Sequence, residues 1–319
     1  MLFVINPTAA RGRALREWGK VQEHLCELKI KFNVHLTSQS GEASDVTRQA
    51  LRAGELCVIA VGGDGTLNEV VSGYFDEAGQ PVNPQARLGL LPCGTGSDFC
   101  RSIGLKNRQT AVQTILAGNS RLIDVMKVEL TGCDGQPISR HSLNVVSFGL
   151  GGEVVARVNS WRTTWPRWIG GHARFVLAAL QALKTYRNRP VQIQFDDQPN
   201  QAGDSYVFSN FFVAANGRFA GGGMKFAPLA ELDDGLMDVV LTNHADRLDI
   251  LKELPRIRFG AHLRNPKVRL VKSSGVTINS WPPLSVDVDG ETAGFTPARL
   301  TIKPAVLRFI ANNSAKNSA

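Results

Sequence analysis

Asp64 lies inside a glycine turn, Gly62-Gly63-Asp64-Gly65-Thr66, between an apolar run and a helical pattern. Glycines let backbone N–H groups approach an anion, and a helix N-terminus adds partial positive charge, so a strand–glycine–helix junction suits phosphate. A carboxylate has no use in such a cradle unless a divalent cation is shared with the phosphates. Alone, the turn also reads as a tight connection carrying a solvated Asp. A second junction repeats the pattern, Leu91-Pro92-Cys93-Gly94-Thr95-Gly96-Ser97-Asp98-Phe99-Cys100-Arg101. There Thr95 can donate to phosphate or ribose. Asp98 and Arg101, three apart on a new helix, can pair, either to hold the loop or to meet a ligand. A third candidate comes late, Asp289-Gly290-Glu291. Glu291 there could act as base toward a hydroxyl nucleophile, although an isolated Asp-Gly-Glu is also an ordinary turn with a solvated Glu.

The elements around these residues set their geometry. Leu56 to Val61 is an unbroken apolar run, a buried strand feeding the first glycine turn. Leu67, Val70, Val71 and Tyr74 then share one helix face, and Thr66 with Glu69 has capping-box spacing, which predicts a helix from Thr66. Upstream, Leu2–Ile5 reads as a strand and Leu15, Trp18, Val21, Leu25 and Leu28 as one helix face. Phe32, Val34 and Leu36 read as a half-covered strand, and 43–53 as a helix ended by Gly54. Leu88–Leu91 and 111–116 add another strand and helix. This alternation argues for a parallel, doubly wound (Rossmann-like) α/β sheet, which binds ligands at the carboxyl ends of its strands.

Past Asp124 the pattern changes. Strands at 125–130, 143–148, 191–195, 206–214, 237–241, 267–271, 285–288 and 299–302 follow one another with Asp-Gly, Asn-Gly and Pro turns, the pattern of an antiparallel β-sandwich or flattened barrel. Helical insertions interrupt it near 172–186 and 247–259. The last apolar run, Val306–Ile310, reads as a strand returning to the first domain. The expected division is therefore 1–125 with 304–319, and 126–303.

The chain has 319 residues, 43% hydrophobic and 20% charged, an ordinary globular composition of two-domain length. Its five cysteines form no CxxC pair or Cys/His metal spacing and read as reduced cytosolic thiols. The first apolar run is too short for a signal peptide, and no run approaches a membrane span. The net charge of +8 comes without the clustered cations and interleaved aromatics of a nucleic-acid module, so no nucleic-acid partner is expected. Anionic lipid headgroups fit it, as does an incidental surface excess. The missing GxGxxG after the first strand argues against a dehydrogenase.

Taken in order, the motifs resemble the diacylglycerol kinase catalytic-domain family, in particular its soluble bacterial lipid kinases, which are similar in fold to sphingosine kinases and NAD kinases. The resemblance rests on Asn6-Pro7, the Asp64 turn with Leu67-Asn68-Glu69, the Gly94–Arg101 segment, Asp124-Val125, Asn216-Gly217-Arg218 with Gly221-Gly222-Gly223-Met224, Pro228 with Leu232-Asp233-Asp234-Gly235-Leu236, and Asp289-Gly290-Glu291. It implies an ATP-dependent lipid kinase moving the γ-phosphoryl group to a hydroxyl of diacylglycerol or a related lipid. The family's nucleotide-loop positions correspond here to Asn6, Arg11, Thr37, Gly62, Gly63, Asp64, Gly65, Thr66, Leu67, Asn68, Gly94 and Thr95. Asp64 would order catalytic Mg2+ through water, within a network of Asp98, Arg101 and Asp124, and Glu291 would be the general base. A second, structural Mg2+ would be held by the Asp234 carboxylate and the Glu231 and Leu236 carbonyls, although Asp-Asp-Gly is also an ordinary hairpin turn. Asp289 reads as turn chemistry.

Two departures stand out. Arg11 replaces the Lys that follows the family's NPxSG motif, giving a planar fork in place of a point charge, and Ser97 replaces the Asn of GTxNDF. Phosphoryl transfer needs positioning and charge neutralisation more than covalent catalysis, and the carboxylates it calls for are all retained. The rivals are a soluble-metabolite kinase of NAD-kinase type and a catalytically silent lipid- or nucleotide-binding regulator. The implied partner is a lipid at a membrane surface, met by a cytoplasmic protein peripheral to the inner face; a homodimer is left open. Trp161, Trp165 and Trp168 among Arg157, Arg162, Arg167 and Arg174 suit a membrane interface, with Phe175, Ala179, Leu180 and Leu183 lining an acyl channel. A helix packed on the β domain is the favoured reading of that region.

Overall fold

In the computed structural model, residues 1–10, 12–93, 98–105, 107–161, 171–197, 205–209 and 211–311 are described. Arg11, Gly94, Thr95, Trp165 and Trp168 lie outside them. The chain divides into two units, Met1–Val125 with the chain from Ala305 onward, and Met126–Pro304.

The first unit alternates strand and helix: β1 (Leu2–Ile5), α1 (Arg13–Glu27), β2 (Asn33–Leu36), α2 (Glu42–Arg52), β3 (Cys57–Gly62), α3 (Asp64–Tyr74), β4 (Arg87–Pro92), α4 (Asp98–Ile103) and α5 (Arg108–Ala117). β5 (Ser120–Gly132) leaves it and carries the chain into the second unit. β2, β1, β3 and β4 pair side by side and parallel. The interiors of β1, β3 and β4 are buried, which is why β3 and β4 read as continuous apolar runs. α1 docks through Trp18, whose ring meets Phe3 at 4.5 Å and Phe32 at 5.9 Å. Its buried face is Ala14, Trp18, Val21 and Leu25; the expected Leu15 and Leu28 are exposed, because they fall at the margins of that stripe. β2 is an edge strand with Val34 and Leu36 exposed, so its alternation does not mark a covered face.

The second unit adds β6 (Pro137–Ser142), β7 (Val145–Gly149), α6 (Leu150–Ser160), α7 (Gly171–Thr185), β8 (Arg189–Phe195), β9 (Ser205–Ser209), β10 (Phe211–Ala215), β11 (Met237–Thr242), α8 (Arg247–Ile257), a 3-10 turn (Ala261–Arg264), β12 (Val268–Ser273), β13 (Gly275–Ser280), β14 (Ser285–Val288) and β15 (Glu291–Ile310). All its pairings that we describe are antiparallel, in the order β12-β11-β10-β7-β14-β15, with β13 between β15 and β8, and β9 beyond β8. One core takes side chains from both halves of this sandwich and from α6 and α7. Ala178, Ala179, Ala182 and Leu183 of α7 are buried in it, and Trp161 packs against its edge, as a helix laid on the β domain requires. β15 is longer than expected. It passes through Pro304, and its far end pairs parallel with β4 through Arg308 and Phe309, as the returning strand of the first unit.

Candidate active site

The parallel strands of the first unit end at one level. Ile5 is level with Leu36 and Val61, and Gly62 with Pro92. Asn6, Thr37, the Asp64 turn and the start of the second glycine segment therefore follow four neighbouring carboxyl ends, where such sheets bind ligands. Asn6 Oδ1 accepts the Thr8 N–H (3.0 Å) and hydroxyl (2.8 Å), shaping the turn after β1. Thr37 is buried, its N–H and hydroxyl both bonded to the Ile5 carbonyl. The loop after it hangs on Glu42, whose carboxylate accepts the Ser38 N–H and hydroxyl at 2.7 Å each and lies 2.7 Å from His35 Nε2. The Ser38 bonds hold that carboxyl down at about 2. Its role was not legible in sequence, because a Glu in a first helical turn is commonplace.

The Asp64 helix starts two residues earlier than the capping-box spacing predicts. Gly63 is its N-cap in extended conformation, and Leu67 N donates to Gly63 O at 3.1 Å. Thr66 is instead packed on Gly62, where a Cβ would come within 2.4 Å of its hydroxyl oxygen. Glu69 accepts the Ser40 hydroxyl at 3.3 Å. Gly62 is thus needed for contact, and its carbonyl takes Cys93 N–H at 2.8 Å, tying the two glycine segments together.

Asp64 tightens that tie. Its carboxylate accepts the N–H groups of Asp98 (3.1 Å) and Phe99 (3.4 Å), the first residues of α4, placing negative charge at a helix N-terminus. Asp98 is buried and paired with Arg101 at 2.7 Å, so the structure brings Asp64, Asp98 and Arg101 into one connected group. Asp124, also buried, accepts the Ala305 N–H at 2.7 Å, pinning the returning chain. Burial raises the Cys57, Cys93 and Cys100 thiols, leaving them protonated and unreactive.

In the second unit Glu291 opens β15 beside Val288 across a two-residue Asp289-Gly290 loop. Both loop residues have positive φ (50° and 91°), the conformation of a type I′ hairpin turn. Asp289 fixes the turn. Its carboxylate accepts Ser142 Oγ (2.7 Å) and the N–H groups of Leu143 (3.0 Å), Asn144 (3.1 Å) and Val145 (2.9 Å). Asn144 in turn donates to Phe219 O, and Asn216 to Leu143 O, so the Asn216-Gly217-Arg218 segment clamps the same stretch. Arg218 reaches the Ala230 carbonyl at 2.8 Å, next to Glu231. Asn144 was not singled out from sequence; a buried Asn at a strand start was its only signal. Glu291 itself is exposed, a carboxylate presented on a braced turn.

At the Asp-Asp-Gly turn, Asp234 pairs with Lys272 Nζ at 2.7 Å and accepts the Leu236 N–H at 3.1 Å. Among the described residues no three side chains group as metal ligands. The donor type still suits a hard cation: Asp234 and Glu231 both act on buried Asp238, one oxygen of which has no hydrogen-bond partner. Burial raises the Asp238 carboxyl despite Lys272.

Comparison with known proteins follows the two units. Residues 1–128 match the diacylglycerol kinase catalytic domain, and residues 144–311 the YegS C-terminal NAD kinase beta sandwich-like domain. A diacylglycerol kinase of Bacillus subtilis is 27% identical over 298 residues, covering 92% of this chain and 90% of that protein. A crystal structure of a diacylglycerol kinase from Bacillus anthracis superposes with a TM-score of 0.70 at 20% identity, covering 98% of this chain and 97% of that one. Yeast NADH kinase follows with a TM-score of 0.53 at 13% identity, covering 100% and 88%. These two structures speak for the fold: an α/β unit with parallel strands joined to a β-sandwich-like unit.

Proposed function

Because the chain belongs to the family that joins a diacylglycerol kinase catalytic domain to a YegS-type β-sandwich-like domain and is an ATP-dependent lipid kinase, we propose that it phosphorylates a hydroxyl of diacylglycerol or a closely related lipid. The observation that carries this reading is the Asp64 carboxylate bonded to the first N–H groups of α4, which joins two glycine segments at the carboxyl ends of β3 and β4. Backbone N–H groups of the Gly62–Asn68 turn would hold the triphosphate, with Asn6 and Thr37 on the neighbouring strand ends. Arg11, Gly94 and Thr95 complete that set by resemblance. Glu291 would accept the proton of the lipid hydroxyl as that hydroxyl's oxygen bonds to the γ-phosphorus and the bond from phosphorus to the β–γ bridging oxygen breaks, releasing ADP.

Mg2+ belongs to this proposal. A carboxylate whose orientation is set by backbone N–H groups suits a hard, hydrated cation, and Asp64 is the residue that would order the ion through water, within the network of Asp98, Arg101 and Asp124 that the resemblance implies. The chemistry it supplies when bound is neutralisation of the β- and γ-phosphate charge. A second ion would sit on Asp234 with the Glu231 and Leu236 carbonyls. The deciding experiment gives the purified protein labelled ATP with diacylglycerol, other hydroxyl-bearing lipids and NAD. Label in phosphatidic acid is the expected outcome. Label in NAD alone would replace the reading by a soluble-metabolite kinase, and no transfer to any acceptor by a binding protein.

A further inference from the structure

We propose that the outer face of α8 is a membrane-docking surface that seats on a bilayer rich in anionic headgroups. The helix is apolar on two sides. Its inner side, Ile250, Leu254 and Ile257, packs on the two cores of the β-rich unit. Its outer side carries Leu248, Leu251 and Pro255 at three- and four-residue steps. Phe259 extends that stripe, since the backbone is still helical at Arg258 (φ −56°, ψ −32°). Leu248 is 64% exposed, Leu251 43% and Phe259 75%, high values for three large side chains on one stripe.

The surroundings extend the patch. Lys225 N–H bonds to the Ile257 carbonyl, and a Cβ on Gly260 would touch Pro228, so the exposed Leu229 stands beside the Phe259 end. At the other end Asn188 holds the Ala245 carbonyl (2.8 Å) and Arg189 the Pro283 carbonyl (3.3 Å), tying in the turn that bears exposed Trp281.

Charge complementarity names the occupant. Lys252 and Arg258 flank the stripe and make no ion pair or hydrogen bond among the described residues. Arg247 spends a guanidinium N–H on the Tyr186 carbonyl and remains exposed. The acids of the helix are engaged: Glu253 is buried and paired with Arg256, Asp249 is paired with Lys267 at 2.6 Å, and the exposed N-cap Asp246 accepts the Asp249 N–H at 2.8 Å. An apolar stripe edged by cations that form no ion pair among the described residues is the pattern of a helix lying in an anionic interface, with apolar side chains below the headgroups and cations among them. A soluble protein partner would have to bury those cations against acids of its own. The surface rests on the lipid-kinase reading for its purpose, because a kinase of bilayer lipid must reach the bilayer.

The test is sedimentation of the protein with vesicles of phosphatidylcholine alone or with phosphatidylglycerol, without ATP or acceptor lipid. Wild type is expected to bind only the anionic vesicles. The pair Leu251→Glu with Phe259→Glu, and separately Lys252→Glu with Arg258→Glu, should each weaken that binding on the order of tenfold or more. Both should keep wild-type turnover on short-chain lipid dispersed in detergent. The charge pair keeps the test standing should the apolar pair misfold. Wild type that ignores phosphatidylglycerol, or variants that bind like wild type, would overturn the proposal. So would a wild-type dimer, seen by analytical ultracentrifugation, that Leu251→Glu dissolves without vesicle binding in either protein. Intact vesicle binding with no lipid phosphorylated would instead count against the kinase reading and leave the surface standing.

Discussion

The turns around Asp64 and Asp289 use the same device to different ends. Each sets a carboxylate against backbone N–H groups of a distant segment: Asp64 against Asp98 and Phe99, and Asp289 against Leu143, Asn144 and Val145. Asp289 commits both oxygens to four donors. What it leaves for chemistry is its exposed neighbour Glu291, held at a fixed angle. Asp64 takes two backbone N–H groups and stays half-exposed at the carboxyl end of the sheet, so the bracing carboxylate and the candidate carboxylate are one residue. The lesson is that position in an Asp-Gly motif does not assign a role; the segment its carboxylate is bonded to, and its exposure, bear on it.

The largest expected effects test that division. Asp64→Asn keeps an acceptor for one N–H but loses the charge, and Glu291→Gln keeps shape but loses basicity. Turnover of labelled ATP into lipid should fall on the order of 10²–10⁴-fold in each, with unfolding midpoints close to wild type. A Glu291→Gln enzyme with near-normal turnover would remove the general base.

Asp289→Ala should behave in the opposite way. It strips acceptors from three backbone N–H groups and one hydroxyl in a part-buried turn, at a cost of about 3–4 kcal/mol. Urea unfolding should show the loss directly. A variant with wild-type stability and no turnover would place Asp289 in the chemistry and break the contrast.

Much of this was legible in the chain because it is local. A glycine turn between an apolar run and a helical pattern pointed to Asp64, whereas Glu291 stood out only through the resemblance of Asp289-Gly290-Glu291 to the family's motif, because the turn alone reads as carrying a solvated Glu. The start of α3 misled because Thr66 and Glu69 have capping spacing, whereas packing of Thr66 on Gly62 decides where the helix begins. α6 was missed because Gly149, Gly151 and Gly152 look like a turn. β6 was missed because Pro-Ile-Ser-Arg-His-Ser is polar even at its buried positions, His141 and Ser142. The donors to Asp289 lie about 145 residues away, and no local pattern announces a bond across that distance.

His141 precedes the stretch that Asp289 braces, and its titration reports on that bracing. Burial, with Lys303 and Lys127 nearby, lowers its folded-state value from 6.5 to about 4. Between those values the unfolded chain binds a proton that the folded chain refuses, so stability falls as pH drops. The shift corresponds to about 3 kcal/mol, fully lost by about pH 4. Urea midpoints measured from pH 7 to 4 should show this acid limb, and His141→Gln should flatten it. An unchanged limb in that variant would move the titration elsewhere.

Asp287 sharpens the contrast from beneath the Asp289 turn. Fully buried, it takes the Ser147 hydroxyl on one oxygen at 2.9 Å, while the other has no hydrogen-bond partner. Burial pushes its carboxyl well above the usual range, which favours the neutral form in the folded protein, while the unfolded chain ionises above about pH 4. A raised folded value means stability that is complete below the unfolded value and lost as pH rises. Asp287→Asn abolishes that loss without changing shape. It should gain about 1 kcal/mol over wild type at neutral pH, a difference that vanishes near pH 4. An Asn variant less stable than wild type at neutral pH, by a deficit that closes below about pH 4, would mean that the ionised carboxylate is what this turn requires. Asp287 would then join Asp289 as a bracing anion, and the second turn would rest on two charges where the first rests on one.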